Sequence, residues 1–202
     1  MTSQDTPRRR RNKPGEGGRL REETLVAAFE VLHEEGAVEA VTLRAVAARA
    51  GITAPALYGH FRDVTHLHSE LRTRAFEQLL DACDAAAEGI TDPVDALHLR
   101  AETIVARGIE FPGRHLLMFT RIDDASNDAG HRTFDRLVAV VQSCVAAGRS
   151  ASTDPAEDGA YLLAALNGLV MTRTTMTGFP WPALRQSVHE ITRRIARIVD
   201  AP

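Results

Sequence analysis

Apolar side chains recur with the spacing of an α-helix along nearly all of the chain after Leu20. In a first segment, over about residues 20–35, Leu25, Ala28, Phe29 and Leu32 fall on one stripe, and Gly36 ends the pattern. Glycine and proline divide the rest into similar segments, about nine in all, and no stretch alternates convincingly like a strand. The pattern therefore predicts an all-α chain of about nine helices.

The first helices are short, and a long one follows them. We predict a second helix that begins at the cap Thr42 and stops at Gly51, and a third that begins at the cap Thr53 and runs to about Phe61. A fourth helix, about 64–87, is long enough to connect two bodies. Further helices are predicted near residues 93–110, 114–123, 131–148, 155–177 and 182–199, with a polar loop over 123–130. This order indicates a three-helix head joined by the fourth helix to a larger helical body.

Composition limits the classes of function. Of the 202 residues 44% are hydrophobic, and 24 basic against 27 acidic side chains give a net charge of −3, which argues against a binder of nucleic acid or membrane that uses its whole surface. The charge is uneven: residues 1–62 hold 10 basic and 8 acidic groups, and the remainder hold 14 and 19. Any binding of nucleic acid is therefore expected in the front of the chain.

The location expected from the sequence is the cytoplasm. The longest nearly unbroken apolar run, 160–171, is shorter than the ~20 residues that a membrane helix needs, and no apolar core follows the N-terminal charges. The two cysteines, Cys83 and Cys144, are too few for a disulfide framework and fit a reducing compartment. We expect no membrane partner.

A basic run near the N-terminus precedes the head. Proline and glycines follow it at once, so residues 1–18 are predicted to form a disordered cationic arm. Such a run is often only a solvated tail, but flexible basic arms beside a DNA-binding head also follow the minor groove, and both interpretations stay open. The arm's charged residues are Arg8, Arg9, Arg10, Arg11 and Lys13.

The stretch from Thr42 to Phe61 carries the most specific chemistry. Two short helices meeting at Gly51, with the small Ala47 inside the first, predict a helix-turn-helix, whose second helix enters the major groove of DNA. The polar ends of Tyr58 and His60 can hydrogen-bond to phosphate oxygens, and Arg44 and Arg62 add positive charge. The small residues of the third helix permit close approach to the bases. The candidate DNA-binding residues are Thr42, Arg44, Thr53, Ala54, Pro55, Ala56, Tyr58, Gly59, His60 and Arg62.

Tyr58 and His60 have an alternative role as packing residues of the small head. Leu57 and Phe61 already supply the buried face of the third helix. We therefore favour contact with DNA for Tyr58 and His60.

Over about residues 20–67 the chain resembles the TetR family of transcriptional regulators. The match comprises the stripe of the first helix, then Thr42-Leu-Arg-x-Val-Ala-x-x-Ala-Gly-Ile-Thr, and the ending Leu-Tyr-x-His-Phe61, which is more specific than a general helix-turn-helix. The resemblance implies a homodimeric repressor that binds palindromic double-stranded DNA, and a divergent helical body that binds a small effector. Val64 departs from the family, which commonly has a phosphate-binding lysine there, and Arg62 or the arm is expected to substitute for it.

The expected organisation follows from this resemblance and the helix pattern. Residues 1–18 form the arm, 19–66 the DNA-binding domain with the linking helix 64–87, and 67–202 a ligand-binding and dimerisation domain. In the last of these, 112–119 and 165–169 resemble segments of one group of TetR ligand domains.

A cavity in the body is expected to bind a largely apolar effector. Each aromatic or methionine residue there is individually more typical of a core, but together they are compatible with a pocket. Arg114 and Tyr161 are further polar candidates. The candidate pocket residues are Phe111, His115, Met118, Phe119, Phe134, Asn167, Met171 and Trp181.

The last two helices are expected to form the dimer interface. As a pair they make half of a four-helix bundle, which a second copy would complete. The candidate interface residues are Leu162, Leu166, Leu169, Leu184, Val188, Ile191 and Ile195.

Other classes of function remain as alternatives. His66 and His68 lie two positions apart, on different faces of a helix, so no metal site is expected, and no cofactor is expected either. An enzyme needs a nucleophile or an acid/base set with an orienting partner, and no such motif is recognisable, so no catalysis is expected. A helical enzyme that acts on an apolar molecule and a DNA-binding dimer without an effector are the two rivals.

Overall fold

The computed structural model describes residues 17–122 and 127–199, and the regular elements in these ranges are helices. The chain is all-α there, as the apolar spacing predicted, and the β-pairing present is an isolated bridge between Ser150 and Ile198. A single 3-10 turn, Val38–Ala40, precedes the second helix. The nine α-helices of the described ranges are α1 Gly17–Glu35, α2 Leu43–Arg49, α3 Ala54–Leu57, α4 Val64–Ala86, α5 Pro93–Glu110, α6 Pro112–Phe119, α7 Asp128–Ala146, α8 Pro155–Thr175 and α9 Leu184–Ile195.

Several helix ends differ from the prediction, and α9, for example, ends at Ile195 instead of near residue 199. α3 ends at Leu57 instead of near Phe61, because the amides of His60 and Phe61 both turn back to the Leu57 carbonyl. α6 begins two residues early, at Pro112, since proline lacks only an N–H that the first helical turn leaves unbonded, and it ends at Phe119. α7 begins at Asp128, so the predicted polar loop is shorter, and 123–126 lie outside the described residues.

Two compact units divide the described chain, and the division falls inside α4 between Leu71 and Arg72. Unit 1 holds 17–71 with 120–122, and unit 2 holds 72–119 with 127–199. In unit 1 the stripe of α1 packs on α2, and the fully buried side chains include Leu32, Val46, Leu57, Phe61, Leu67 and Leu71. Leu25, Phe29, Val31 and Val41 are buried with them, so this head has an apolar core of its own.

In unit 2, α5 is the central helix and packs against α6, α7, α8 and α9. Gly108 permits its close approach to α8, since a Cβ there would lie 2.7 and 2.8 Å from the two methyl carbons of Val170. Asp92 and Asp154 cap α5 and α8 by accepting hydrogen bonds from backbone amides of the first turns. α5 is therefore the element that positions any site in this unit.

Both cysteines are free thiols in buried surroundings. Cys83 lies on α4 and Cys144 on α7. Burial raises the pKa of the Cys83 thiol to about 12 and that of Cys144 to about 11.

Among the described helices, none is both long and apolar enough to cross a bilayer.

Candidate nucleic-acid interface and ligand cavity

The turn between α2 and α3 sets the geometry of the candidate DNA-binding surface. The Thr42 hydroxyl accepts a hydrogen bond from the Ala45 amide at 3.1 Å and so caps α2. After α2, Gly51 adopts φ +67°, a conformation that favours glycine. Thr53 stands at the cap position of α3 but its side chain makes no capping bond, so the predicted capping by Thr53 is wrong. Its exposed hydroxyl is left to face solvent or a ligand.

The candidate DNA-binding residues line the surface around this turn, whereas Ala47, Leu57 and Phe61 fill the core beneath them. The ring of Tyr58 is 61% exposed. Ala54 and His60 are half-buried, and those that are exposed are Thr42, Arg44, Thr53, Pro55, Ala56, Tyr58, Gly59 and Arg62. The segment thus presents hydroxyl, imidazole and guanidinium groups together with small side chains, a combination suited to phosphates and base edges.

Arg49 is the one arginine of α2 that this set omits, and the structure gives it another role. Its guanidinium pairs with Glu34, where the Nη1–Oε1 distance is 2.6 Å, and lies 3.6 Å from Glu30. The hydrogen bond from Arg49 lowers the pKa of the Glu34 carboxyl. Arg49 therefore ties α2 to α1, and Arg44 is the exposed arginine of α2 in the candidate DNA-binding set.

At the start of α4, Asp63 determines how Arg62 is placed. Its Oδ1 accepts from the His66 amide at 2.8 Å and caps the helix, and its Oδ2 accepts from Arg62 Nε at 3.1 Å. These bonds, the one from the His66 backbone first, lower the pKa of Asp63. Val64, the departure from the family pattern, is 37% exposed. Arg62 is exposed beside it, but Asp63 offsets part of its charge.

The predicted arm lies outside the described residues, including Arg8, Arg9, Arg10, Arg11 and Lys13.

A cavity of about 310 Å³ opens in unit 2 between α4, α5 and α6. The predicted candidates Phe111, His115 and Met118 line it, as does Arg114. Sequence reasoning did not find the lining residues on α4 and α5, which are Ala75, Gln78, Leu79, Ile104, Arg107 and Gly108. Ala75, Leu79 and Ile104 fall on the apolar stripes of their helices, but spacing along one helix does not reveal which inward positions border a void.

Five predicted pocket residues do not line this cavity. Phe119 is 47% exposed, with its ring against those of Phe76 and His115, and Met171 is 45% exposed. Tyr161, the further polar candidate, is also exposed on α8. Phe119, Phe134, Asn167, Met171 and Trp181 are thus not part of the lining of this cavity, and a contact of these side chains with an effector stays a prediction.

His115 is the most confined polar group of the cavity wall. Its side chain is 3% exposed, and within the described residues neither ring nitrogen has a hydrogen-bond partner. Burial lowers the pKa of His115 to about 4, so the ring is neutral at physiological pH, with one donor and one acceptor nitrogen.

Arginine side chains add positive charge to the same cavity. The Arg114 guanidinium lies 4.6 Å from the Phe111 ring centre, and its Nη1 donates to Gln78 Oε1 at 3.2 Å. Arg107 pairs with Glu110 at 3.0 Å. Burial, followed by the charge of Arg107, lowers the pKa of Arg114. The cavity therefore combines apolar walls with two guanidinium groups and one confined imidazole.

The predicted dimer interface needs correction. Leu162, Leu166, Leu169 and Val188 are buried in the chain's own core, so they can bury almost no further area against a second copy. Leu184, Ile191 and Ile195 keep partial exposure. Apolar and small residues also occupy the opposite, exposed face of α8, namely Ala160, Tyr161, Ala164, Gly168 and Met171. Because α8 is apolar on nearly all sides, the spacing along it does not distinguish its buried face from its exposed face.

No group of three or more His, Cys, Asp or Glu residues in the described ranges is arranged to hold a metal ion.

Solved structures share this fold at low sequence identity. A protein of unknown function from Rhodococcus sp. RHA1 aligns with a TM-score of 0.78 at 24% identity, over 92% of this chain and 98% of its own. The TetR family transcriptional regulator PfmR from Thermus thermophilus aligns at 0.65 and 24% identity, over 88% and 99%. SmeT, the repressor of the Stenotrophomonas maltophilia multidrug efflux pump SmeDEF, aligns at 0.62 and 19% identity, over 89% and 90%.

Sequence comparison adds a match to the head. No curated protein sequence matches the chain. Residues 25–70 match the family model described as bacterial regulatory proteins, tetR family, and these residues span α1 to the first part of α4. The chain is therefore similar to the tetR family of bacterial regulatory proteins over this segment, and it shares its fold with the solved structures.

Proposed function

We propose that this chain is a homodimeric transcriptional repressor that binds a palindromic operator and is released by a small, largely apolar effector. The observation that carries the proposal is the exposed surface of the helix-turn-helix. Its apolar side chains pack in the core of the head, whereas Arg44, Tyr58 and Arg62 are exposed and available to contact DNA. The match of residues 25–70 to the tetR family model supports regulation of transcription. Repression is supported by one fold neighbour, SmeT, which is a repressor.

The decisive experiment measures binding to DNA. In a gel-shift titration the chain is expected to prefer DNA from upstream of its own gene to a random duplex of equal length, and both affinities should fall as salt increases. Equal affinity for the two duplexes at every salt concentration contradicts the proposal.

Within this function, residues 19–66 act as the DNA-binding domain and 67–202 as the sensing and dimerising domain. The arm, 1–18, is proposed to add contacts to DNA phosphates. Deletion of the arm should then weaken binding and reduce the slope of log affinity against log salt. An unchanged salt slope would contradict contacts between the arm and DNA.

Dimerisation is proposed through α8 and α9. The exposed face of α8 carries small and apolar residues, and the partly exposed Leu184, Ile191 and Ile195 lie on α9. One apolar face of α8 is covered by its own chain, and the other is exposed. A helix from a second copy would bury this exposed apolar face. Two heads are also needed to read successive major grooves about 34–36 Å apart.

Release by an effector is proposed to act through α4. This helix is continuous from Val64 to Ala86, and Ala75, Gln78 and Leu79 line the cavity while Leu67 and Leu71 are buried in unit 1. A ligand that shifts α4 at the cavity changes the position of the residues that begin the same helix. A compound that raises the melting temperature and also weakens the gel shift supports this mechanism. A ligand that raises the melting temperature without changing affinity for DNA contradicts it.

A further inference from the structure

The chemistry of the cavity in unit 2 indicates more about its ligand than that it is apolar. We propose that the cavity binds a small carboxylic acid, with the carboxylate held by Arg114 and His115 and the hydrocarbon body against Leu79, Ile104 and Met118. This inference rests on the proposed function, because the bound acid is the effector. Three observations support it, and they concern the imidazole, the charge and the shape of the cavity.

His115 supplies the first observation. A buried polar group without a partner is unfavourable, and such groups are normally satisfied by protein, water or ligand. His115 is 3% exposed, lines the cavity and has no partner at either nitrogen among the described residues. As a neutral ring it offers one N–H to a ligand oxygen. A hydrocarbon ligand would leave this donor unsatisfied.

Charge determines the sign of the ligand. Arg107 and Arg114 are the charged residues that line the cavity, and Glu110, which pairs with Arg107, is not among its lining residues. The surplus is positive, so a cationic ligand is disfavoured and an anion is favoured. A planar guanidinium matches a carboxylate with two parallel hydrogen bonds. Arg114, stacked on Phe111 and bonded to Gln78, is already oriented.

The size and the walls of the cavity limit the hydrocarbon part of the ligand. Behind these polar groups, Ala75, Leu79, Ile104 and Met118 form an apolar wall in a volume of about 310 Å³, which is near the lower limit for ligand pockets. Gly108 keeps the wall close, since a Cβ there would lie 3.0 Å from His115 Nδ1. The site therefore has room for one acidic group on a compact or short-chain hydrocarbon.

The first test is direct binding to the full chain by isothermal titration calorimetry. The probes are butyrate, octanoate and 3-phenylpropionate, compared with octan-1-ol and octylammonium. At least one carboxylate is expected to bind ten times or more tightly than the alcohol and the amine. The proposal is overturned if no carboxylate binds, or if the alcohol or the amine binds as tightly as the best acid.

Variants identify the residues that recognise the acid. Arg114→Gln should weaken binding of the best carboxylate at least tenfold while the weak binding of octan-1-ol stays unchanged. His115→Leu is a second variant with the same expectation, checked like the first by circular dichroism for folding. Arg194→Gln is the matched control, because Arg194 is an exposed arginine of α9 outside the cavity. Unchanged carboxylate affinity in the folded variants overturns the assignment.

Gel shifts without ligand separate this inference from the proposed function. If the chain binds carboxylates but has no preferred DNA, the ligand class stands and the repressor function fails. If it prefers its upstream DNA but binds none of the acids, the ligand class is overturned and DNA binding stands.

Discussion

Tyr58 presents a hydroxyl group on a ring that is 61% exposed, directly after the last residue of α3. If this hydroxyl donates to a DNA phosphate, Tyr58→Phe should weaken binding about 2- to 10-fold, which corresponds to one hydrogen bond of about 0.5–1.5 kcal/mol. The loss should be similar for operator and random DNA, because phosphate contacts carry no sequence information. Gel shifts with both duplexes measure it.

Tyr161 provides the matched control, since the chain has only two tyrosines and this one is 57% exposed. Its hydroxyl donates to Glu157 on α8, in unit 2, and this bond raises the pKa of Tyr161. Tyr161→Phe removes only a hydroxyl that bonds within α8 and keeps the ring, so it should leave both the dimer and the affinity for DNA unchanged. Equal losses in the two variants would contradict a specific role for Tyr58.

His115 makes stability depend on pH in a defined direction. Burial lowers its pKa from 6.5 to about 4, so between these values the unfolded chain binds a proton that the folded chain does not. The stabilising contribution of the neutral ring is present above pH 6.5 and is lost as pH falls towards 4. Relative to His115→Leu, the wild-type chain should lose on the order of 2–3 kcal/mol of unfolding free energy over this window.

Urea unfolding at pH 7, 5.5 and 4.5 measures this difference. Parallel pH profiles of the wild type and His115→Leu would show that the imidazole is protonated as readily in the folded chain as in the unfolded one. That outcome would contradict the burial of His115.

Among the elements, α4 depends on Asp63 at its start. Asp63→Asn keeps an oxygen that can accept from the His66 amide, but it removes the negative charge that pairs with Arg62. We expect this variant to retain its melting temperature and to bind DNA more tightly, with a salt slope steeper by up to about one unit.

Asp63→Ala is the partner experiment, because it removes the cap as well as the charge. Its melting temperature should fall by a few degrees. If Asp63→Asn binds DNA no more tightly than the wild type at any salt concentration, Arg62 does not approach phosphate.

Helices of this chain could be predicted from local signals, but their partners could not. Pro93 and Glu110 bound α5 as predicted, since apolar spacing and the Asp92 cap are properties of the segment itself. α3 ended early because Leu57 accepts two turn amides, a detail that residue types do not determine. The cavity required the packing of α4 against α5 and α6, which no spacing along one helix encodes, so only Phe111, His115 and Met118 of the predicted pocket set lie in it.

At the scale of the whole molecule, the open face of α8 predicts the oligomeric state. Ala164→Arg should place a charge in the dimer interface and raise the dimer dissociation constant about a hundredfold or more, the effect of about 3 kcal/mol for a buried unpaired charge. Analytical ultracentrifugation at several concentrations measures it. Affinity for a palindrome should fall as well, because the second head is no longer linked to the first.

Ala139→Arg is the matched control for this variant, since Ala139 is an exposed alanine of α7. It should leave the dimer intact. If both variants stay dimeric, the exposed face of α8 is not the interface, and α9 becomes the next element to test.

The net charge of the whole molecule hides a difference between its two parts. The net charge of −3 combines a front that is basic by two with a remainder that is acidic by five. Non-specific attraction to DNA should therefore be weak, and discrimination should depend on paired heads and direct contacts.

Because both native thiols are buried, reagents that alkylate thiols should not label the wild-type protein. Alkylating labels react with thiolates, and Cys83 and Cys144, with pKa values of about 12 and 11, form almost none. A single cysteine introduced on an exposed position of each unit would therefore carry a spectroscopic label without removal of the native ones. Distances between such labels, with and without a carboxylate, would show directly whether an occupied cavity moves the heads.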